Sequence, residues 1–379
     1  MVSYMTDMER VLILFGADSR LEWGRSFQIA KAFKTLGHDV VYVDIPLSVK
    51  RSVGAAIRGN NSSFPVYQPR FGLPCAKLPL LRGLNYQIIS RQLVSYLDEV
   101  KFNPTVIWAY APYEPKVTRL LRERYHVKLV VYDIADERIS LAIAQHGEKA
   151  GLITQKYEEE IARFSDAVVT ITDKLKETKC KLHKTIKVMP NGIDTEMFNN
   201  NVEYAKPEYL VNLPGKIVLY IGAIEDWVDI EAIKVAASAC PDAQFVLVGP
   251  ARIDISLLTQ MSNVHIIGTR PYAEMPACIA HADVCILPFK NNEITQNSDP
   301  LKLLQYLSMG KPVVALYFQG INNFGNAVSV ASDYREFAAM ISLAGNATTE
   351  VADAVRHFDW KHLVASTMQQ LKVSEGNHE

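Results

Sequence analysis

The densest concentration of candidate chemistry lies at Asp299-Pro300-Leu301-Lys302-Leu303-Leu304-Gln305, ahead of Met309-Gly310 and the apolar run Val313-Val314. A proline is tolerated in a first helical turn, where its missing N–H has no partner anyway, and a glycine ends the helix before the next strand. Lys302 then sits in the first turn, where its ammonium joins the helix dipole and free backbone N–H groups in attracting an anion such as a diphosphate. Gln305, three residues on, shares nearly the same face, and its amide suits a ribose hydroxyl. A lysine at a helix start otherwise opposes the dipole, so a merely solvated Lys302 is the weaker reading. Gly222 follows the apolar run Ile217–Ile221 and lets the N–H groups of its turn, with Ala223 beside it, approach a phosphate closely, although a plain tight turn also explains it. Arg270 is a further candidate for neutralising an anion, with a structural salt bridge as its alternative. No Asp-x-Asp in a suitable strand context and no histidine cluster is present, so neither a metal nor another cofactor is expected.

Such side chains need strand-to-helix turns to hold them. Short β-branched runs alternate with helix-patterned segments along the whole chain, the form of a parallel sheet with helices on both faces. Val11–Phe15, Val40–Val43, Val106–Ala109, Leu129–Tyr132, Ala167–Ile171 and Ile186–Val188 make one series. Ile217–Ile221, Gln244–Val248, Val264–Ile267, Val284–Leu287 and Pro312–Leu316 make a second. The expected fold is α/β, two Rossmann-like doubly wound domains: 1–198, a polar Pro-broken linker over 199–214, 215–350, and a terminal helical stretch over 351–379 that can pack on either domain. In such sheets ligands bind at the carboxyl ends of the strands.

At 379 residues, two cores are the default. A formal net charge of −1 describes a globular protein with no sign of nucleic-acid binding. Five scattered cysteines without a C-x-x-C pair indicate neither a disulfide framework nor zinc, and a reducing cytoplasm is expected. No apolar run reaches the roughly 18 residues of a membrane span. The window 46–97 is exceptional: it holds Lys50, Arg51, Arg58, Arg70, Lys77, Arg82 and Arg91 and no acidic residue. With Leu78, Leu80, Leu81, Leu84, Ile88 and Ile89 among them, these cations suit peripheral association with an anionic membrane; a solvated loop plus an amphipathic helix is the alternative.

The stretch from His265 to Val314 resembles the donor-binding half of bacterial glycosyltransferases of the GT-B fold (the group 1-like superfamily). Met189-Pro190-Asn191-Gly192-Ile193-Asp194 resembles the P-N-G-[IV]-D run ending their first domain, and Phe358-Asp359-Trp360 the tryptophan opening their last helix. Where many relatives carry E-x7-E, this chain has Asn297 and Gln305; its P-x-K-x-x-Q form is nearer the branch of the glucuronosyltransferase of xanthan assembly, which puts the retaining E-x7-E mechanism in doubt. The resemblance implies a donor nucleotide-diphosphate sugar, UDP-linked by preference, with Lys302 on the phosphates and Gln305 on the ribose. It also implies donor contacts from Trp227, Asp229, Phe289 and Thr295, and acceptor contacts from Trp23, Gly24 and Arg25 after the first strand. Asp136, in Tyr132-Asp133-Ile134-Ala135-Asp136, matches the aspartate base of the similar inverting enzyme; a helix N-cap is its alternative. The expected partner is a glycan or lipid-linked acceptor in polysaccharide or cell-envelope assembly. A retaining transferase, a nucleotide-sugar epimerase and a non-catalytic nucleotide-sugar-binding protein stay open, whereas the missing G-x-G-x-x-G disfavours a dinucleotide-dependent dehydrogenase.

Overall fold

The computed structural model describes residues 8–46, 62–71, 79–112, 115–296, 299, 301–318, 321, 327–345 and 349–376. The chain forms two compact units, Met1–Pro190 with Trp360–Glu379, and Asn191–Asp359.

In the first unit the strands are β1 (Arg10–Gly16), β2 (Asp39–Asp44), β3 (Val66–Tyr67), β4 (Val106–Ala109), β5 (Leu129–Ile134), β6 (Ala167–Thr170) and β7 (Ile186–Val188). They form one sheet in the order β3-β2-β1-β4-β5-β6-β7, every pair parallel. The longer helices are α1 (Arg25–Thr35), α2 (Pro79–Glu99), α3 (Pro115–Tyr125), α4 (Arg138–His146), α5 (Glu148–Phe164) and α6 (Asp173–Lys179). β1, β4 and β5 are buried over nearly their whole length, which is why they read as continuous apolar runs rather than as alternating ones.

The second unit holds β8 (Ile217–Ile221), β9 (Gln244–Val248), β10 (Val264–Gly268), β11 (Val284–Leu287), β12 (Val313–Leu316) and β13 (Ser329–Ala331). Its sheet, β10-β9-β8-β11-β12-β13, is also wholly parallel. Its longer helices are α7 (Ile230–Ala239), α8 (Leu301–Ser308) and α9 (Tyr334–Leu343), and α10 (Trp360–Gly376) follows. In both sheets the strand order reverses beside the first strand, between β1 and β4 and between β8 and β11, the switch points at which this topology leaves a crevice.

The expected doubly wound pattern is present, with β3 and β13 added. Both are edge strands too short to show a period, two and three residues long. The division between units falls elsewhere than the 199–214 segment chosen on polarity. That segment belongs to the second unit, where buried Phe198 and Leu210 and the flanking Tyr204 and Leu213 join its core. Inside this unit Ile193 bridges Asp359, and its N–H donates to the Phe358 carbonyl at 2.9 Å. α10 belongs to the first unit, burying Trp360, Val364, Met368 and Leu371 and packing on α1. Burial of a single such side chain contributes about 1.5–3 kcal/mol.

Candidate functional site

At the switch point of the second sheet, three glycine turns are stacked by backbone bonds: the Gly222 N–H donates to the Val248 carbonyl at 2.8 Å, and the Gly249 N–H to the Gly268 carbonyl at 2.9 Å. Gly222 and Gly249 have φ of 137° and 149°, a region open to glycine and strained for any side chain. Space imposes the same choice. A methyl group on Gly249 would overlap the Gly222 carbonyl, and one on Gly222 would overlap the Lys302 side chain at Cε. Lys302 therefore lies directly against the turn after β8.

Tyr306, one turn further along α8, fixes this placement: its hydroxyl accepts the Ile221 N–H at 2.7 Å. Gly310, with φ of 67°, closes the helix, and the Lys311 N–H returns to the Tyr306 carbonyl at 3.0 Å. Asn191 braces the approach to α8, its N–H donating to an Asp299 carboxylate oxygen at 2.7 Å and its amide to the Asp299 carbonyl at 3.0 Å. The asparagine of the P-N-G motif thus stiffens the loop before the candidate lysine, a role visible only once a partner 108 residues away is known.

The Lys302 ammonium stands 5.7 Å from the ring centroid of Tyr220 and 5.4 Å from that of Phe289. It has no hydrogen bond or ion pair among the described residues. Burial pushes its pKa down to about 8, against the opposing field of Glu225. Cation-π contact offsets part of the desolvation, but the site remains short of a negative charge. Gln305 is buried on the same helix, its amide 3.4 Å from the Tyr272 hydroxyl.

The other donor-side candidates are engaged locally. Phe289 is a buried ring packed between Tyr220 and Phe318, so it is a floor beneath Lys302. Trp227 is half-buried, and its carbonyl accepts the Lys290 N–H at 2.9 Å, which ties its turn to the Phe289 loop. Ala223 accepts the Tyr220 hydroxyl at its carbonyl, 2.9 Å away. The Thr295 hydroxyl donates to the Lys290 carbonyl at 2.6 Å and accepts the Asn292 N–H, stapling its own turn. Asp229 caps α7 through the Ala232 N–H and accepts the Tyr334 hydroxyl. Arg270 is exposed, with its guanidinium 4.9 Å from the Tyr209 centroid. Gly222, Lys302 and Phe289 are thus gathered in one place, with Gln305 on the same helix facing Tyr272, and no contact among the described residues joins Arg270 to them.

In the first unit the turn after β1 leaves Trp23 exposed. Gly24 precedes α1 and caps it by its carbonyl, which accepts the N–H groups of Phe27 and Gln28. Arg25 turns inward. It is only 4% exposed and pairs with the fully buried Asp133 at 3.1 Å, while its other N–H groups donate to the carbonyls of Met189 at 2.9 Å and Pro190 at 3.0 Å. Trp108 donates to the same carboxylate at 3.0 Å, and the guanidinium lies 5.6 Å from the Trp360 centroid. A guanidinium held this way is an anchor for the strand exit and for α10, a use that the motif position alone did not reveal.

Asp136 ends the turn after β5 and is exposed. Although solvent reaches it, the protein around it displaces enough water to raise its pKa above the ordinary carboxylate value, against the fields of Arg138 and Arg25 and with that of Asp133. It does not act as the N-cap: Glu137 holds that position and makes no side-chain cap bond.

Of the basic window, Lys50, Arg51, Arg58 and Lys77 lie outside the described residues, as does the side chain of Arg82. Arg70 and Arg91 are exposed. Among the described residues no helix is long and apolar enough to cross a membrane, and no group of three or more His, Cys, Asp or Glu side chains is placed to hold a metal ion.

Two wholly parallel-sheet, Rossmann-like units define the fold class. Residues 215–345, which contain Gly222, Lys302 and Gln305, match the family described as glycosyl transferases group 1. Over 210 residues, 52% of this chain and 52% of the relative, the sequence is 30% identical to TuaH of Bacillus subtilis (strain 168), named as a glycosyltransferase of teichuronic acid biosynthesis. The chain thus spans about half the length of the curated relative it matches. Among solved structures, Anabaena Alr3699/HepE in complex with UDP and glucose shares the fold at TM-score 0.69 and 16% identity, over 96% of this chain and 99% of that one. The sucrose-phosphate synthase of Thermosynechococcus elongatus does so at TM-score 0.68 and 16% identity, over 97% and 99%.

Proposed function

We propose that the protein is a glycosyltransferase that moves a sugar from a nucleoside-diphosphate donor, UDP-linked by preference, to a glycan or lipid-linked acceptor in polysaccharide or cell-envelope assembly. The observation that carries this reading is the Lys302 ammonium, unpaired among the described residues, laid over the side-chain-free Gly222 turn at the switch point of the second sheet. A half-buried ammonium beside a turn with no side chain in the way is completed by a diphosphate, and the same contact stabilises the charge that develops as the anomeric C–O bond breaks. The family match over the same residues and the relatives named for, or solved with, UDP or polysaccharide assembly support it. The P-x-K-x-x-Q sequence keeps the resemblance to the xanthan glucuronosyltransferase branch as a finer reading, so UDP-glucuronate belongs among the donors tried.

In this scheme Asp136 takes the proton from the attacking acceptor hydroxyl, the new glycosidic bond forms as the diphosphate leaves, and the anomeric configuration inverts. No metal takes part, so EDTA leaves turnover unchanged. A cytoplasmic site of action, peripheral on a membrane through the basic window, completes the proposal; replacing Arg51, Arg58, Arg82 and Arg91 by Ser should release the protein from anionic vesicles.

A thermal-shift screen against UDP, GDP, dTDP, CMP and their sugar conjugates tests the donor site. Stabilisation by one nucleoside diphosphate that disappears in Lys302→Ala is expected, and an equal response in the variant would sink it. Asp136→Asn should lower turnover about 10²–10⁴-fold with donor binding retained. Because the Asp136 pKa is raised, wild-type activity should fall, as pH drops, earlier than an ordinary carboxylate would dictate.

A further inference from the structure

Arg138 opens α4 two residues beyond Asp136, and its guanidinium lies over the ring of Tyr110, 4.8 Å from the centroid. Its Nε is shielded from solvent with no hydrogen-bond partner among the described residues. The side chain as a whole is half-buried, so its outer N–H groups remain reachable. Asp136 and Asp133 act on it through their fields alone, and among the described residues no carboxylate forms an ion pair with it. The adjacent Glu137 is committed elsewhere, to Lys179 at 2.8 Å. The Tyr110 hydroxyl likewise has no hydrogen-bond partner among the described residues.

Two features of Arg138 are unfavourable as they stand. A shielded Nε without a hydrogen bond lacks compensation for its lost water. A cation in the first turn opposes the helix dipole, and α4 has neither an acidic residue in that turn nor a side-chain cap. An anion at the outer N–H groups would neutralise the guanidinium and remove its opposition to the dipole. Stacking on Tyr110 occupies a face of the guanidinium and leaves its N–H rim for oxygen atoms, the geometry that favours arginine over lysine for bidentate contact.

We infer that Arg138, seated on Tyr110, is an anion-binding subsite for the acceptor: it takes an oxyanion, either a phosphate ester or a sugar carboxylate, borne by the molecule whose hydroxyl meets Asp136. The anion site stands on the Arg138 geometry; its assignment to an acceptor rests on the transferase reading above. Such a subsite selects negatively charged acceptors over neutral sugars and orients the reacting hydroxyl toward the base.

The test uses the full chain carrying Lys302→Ala, which removes the donor phosphate contact, and titrates it calorimetrically with inorganic pyrophosphate and with methyl glucuronide. At least one probe should bind. Adding Arg138→Gln should weaken that binding tenfold or more, and Arg138→Lys, which keeps the charge but not the fork, should weaken it less. Binding of pyrophosphate alone assigns the subsite to a phosphate-bearing acceptor, and binding of the glucuronide assigns it to an acidic sugar. No binding of either probe, or equal binding after Arg138→Gln and Arg138→Lys, overturns the subsite. Binding of UDP by the otherwise unaltered protein is scored separately: if it is absent while Arg138-dependent anion binding persists, the donor reading fails and the anion site does not.

Discussion

Arg25 and Lys302 each stand in the first turn of a helix at the carboxyl edge of a parallel sheet, yet among the described residues only Arg25 is met by a carboxylate. Asp133, two backbone carbonyls and the Trp360 ring enclose it. Lys302 faces two aromatic rings, a glycine turn and no anion among the described residues. A protein that completes one cation internally and leaves the other incomplete separates a scaffold charge from a ligand charge. Stability should depend on the first and binding on the second.

The largest effect should come from Arg25→Met. It leaves Asp133 buried and unpaired, so a loss of about 3–5 kcal/mol in urea unfolding is expected; an unfolding midpoint unchanged from wild type would erase the distinction between the two cations. Lys302→Met should do the reverse. Holding a charged ammonium at a pKa near 8 instead of its ordinary 10.5 costs at most about 3 kcal/mol at neutral pH, so the variant should be as stable as the parent or more so. Its nucleoside-diphosphate affinity, followed by calorimetry, should fall about 100-fold with loss of a charge-assisted contact. Gly222→Ala sits between them, costing about 1–3 kcal/mol through its positive φ. It should also weaken the donor by displacing Lys302, and donor affinity preserved in a folded Gly222→Ala protein would show that the lysine does not reach the phosphates.

The smallest effect is on pH dependence. The folded pKa of Lys302 lies below its unfolded value, so its contribution to stability is greatest above 10.5 and is lost as pH falls through about 8. Donor affinity has the opposite sign: it needs the ammonium and should drop up to about tenfold per pH unit above 8. A flat affinity profile from pH 7 to 9.5 would remove the lysine from the phosphate contact.

The doubly wound fold was legible because fully buried parallel strands are continuous β-branched runs, and β8, β9 and β11 each announce themselves that way. The Lys302, Gln305 and Gly222 grouping was legible because helix-start chemistry and turn glycines are local. Arg25 was not, since nothing near it in sequence indicates a partner 108 residues away. Thr295 and Asp229 show the complementary difficulty: a polar side chain at a strand-end turn looks the same in sequence whether it awaits a ligand or closes its own loop. The unit boundary escaped for a third reason. A few apolar residues, Phe198 and Leu210 among them, suffice to draw a polar, Pro-broken segment into a core.

The helix α10 is made after the second unit but belongs to the first. The first sheet can therefore form early on the ribosome, while the α1 surface that Trp360, Val364 and Met368 will cover stays bare until residues 191–359 have emerged. At ordinary rates of synthesis, about 5–20 residues per second, that interval is roughly eight to thirty-five seconds. Assembly is thus finished in an order opposite to the gene: the unit begun first is completed last, and a ribosome that stalls within the second unit leaves a chain with an open apolar seam for chaperones or proteases to find.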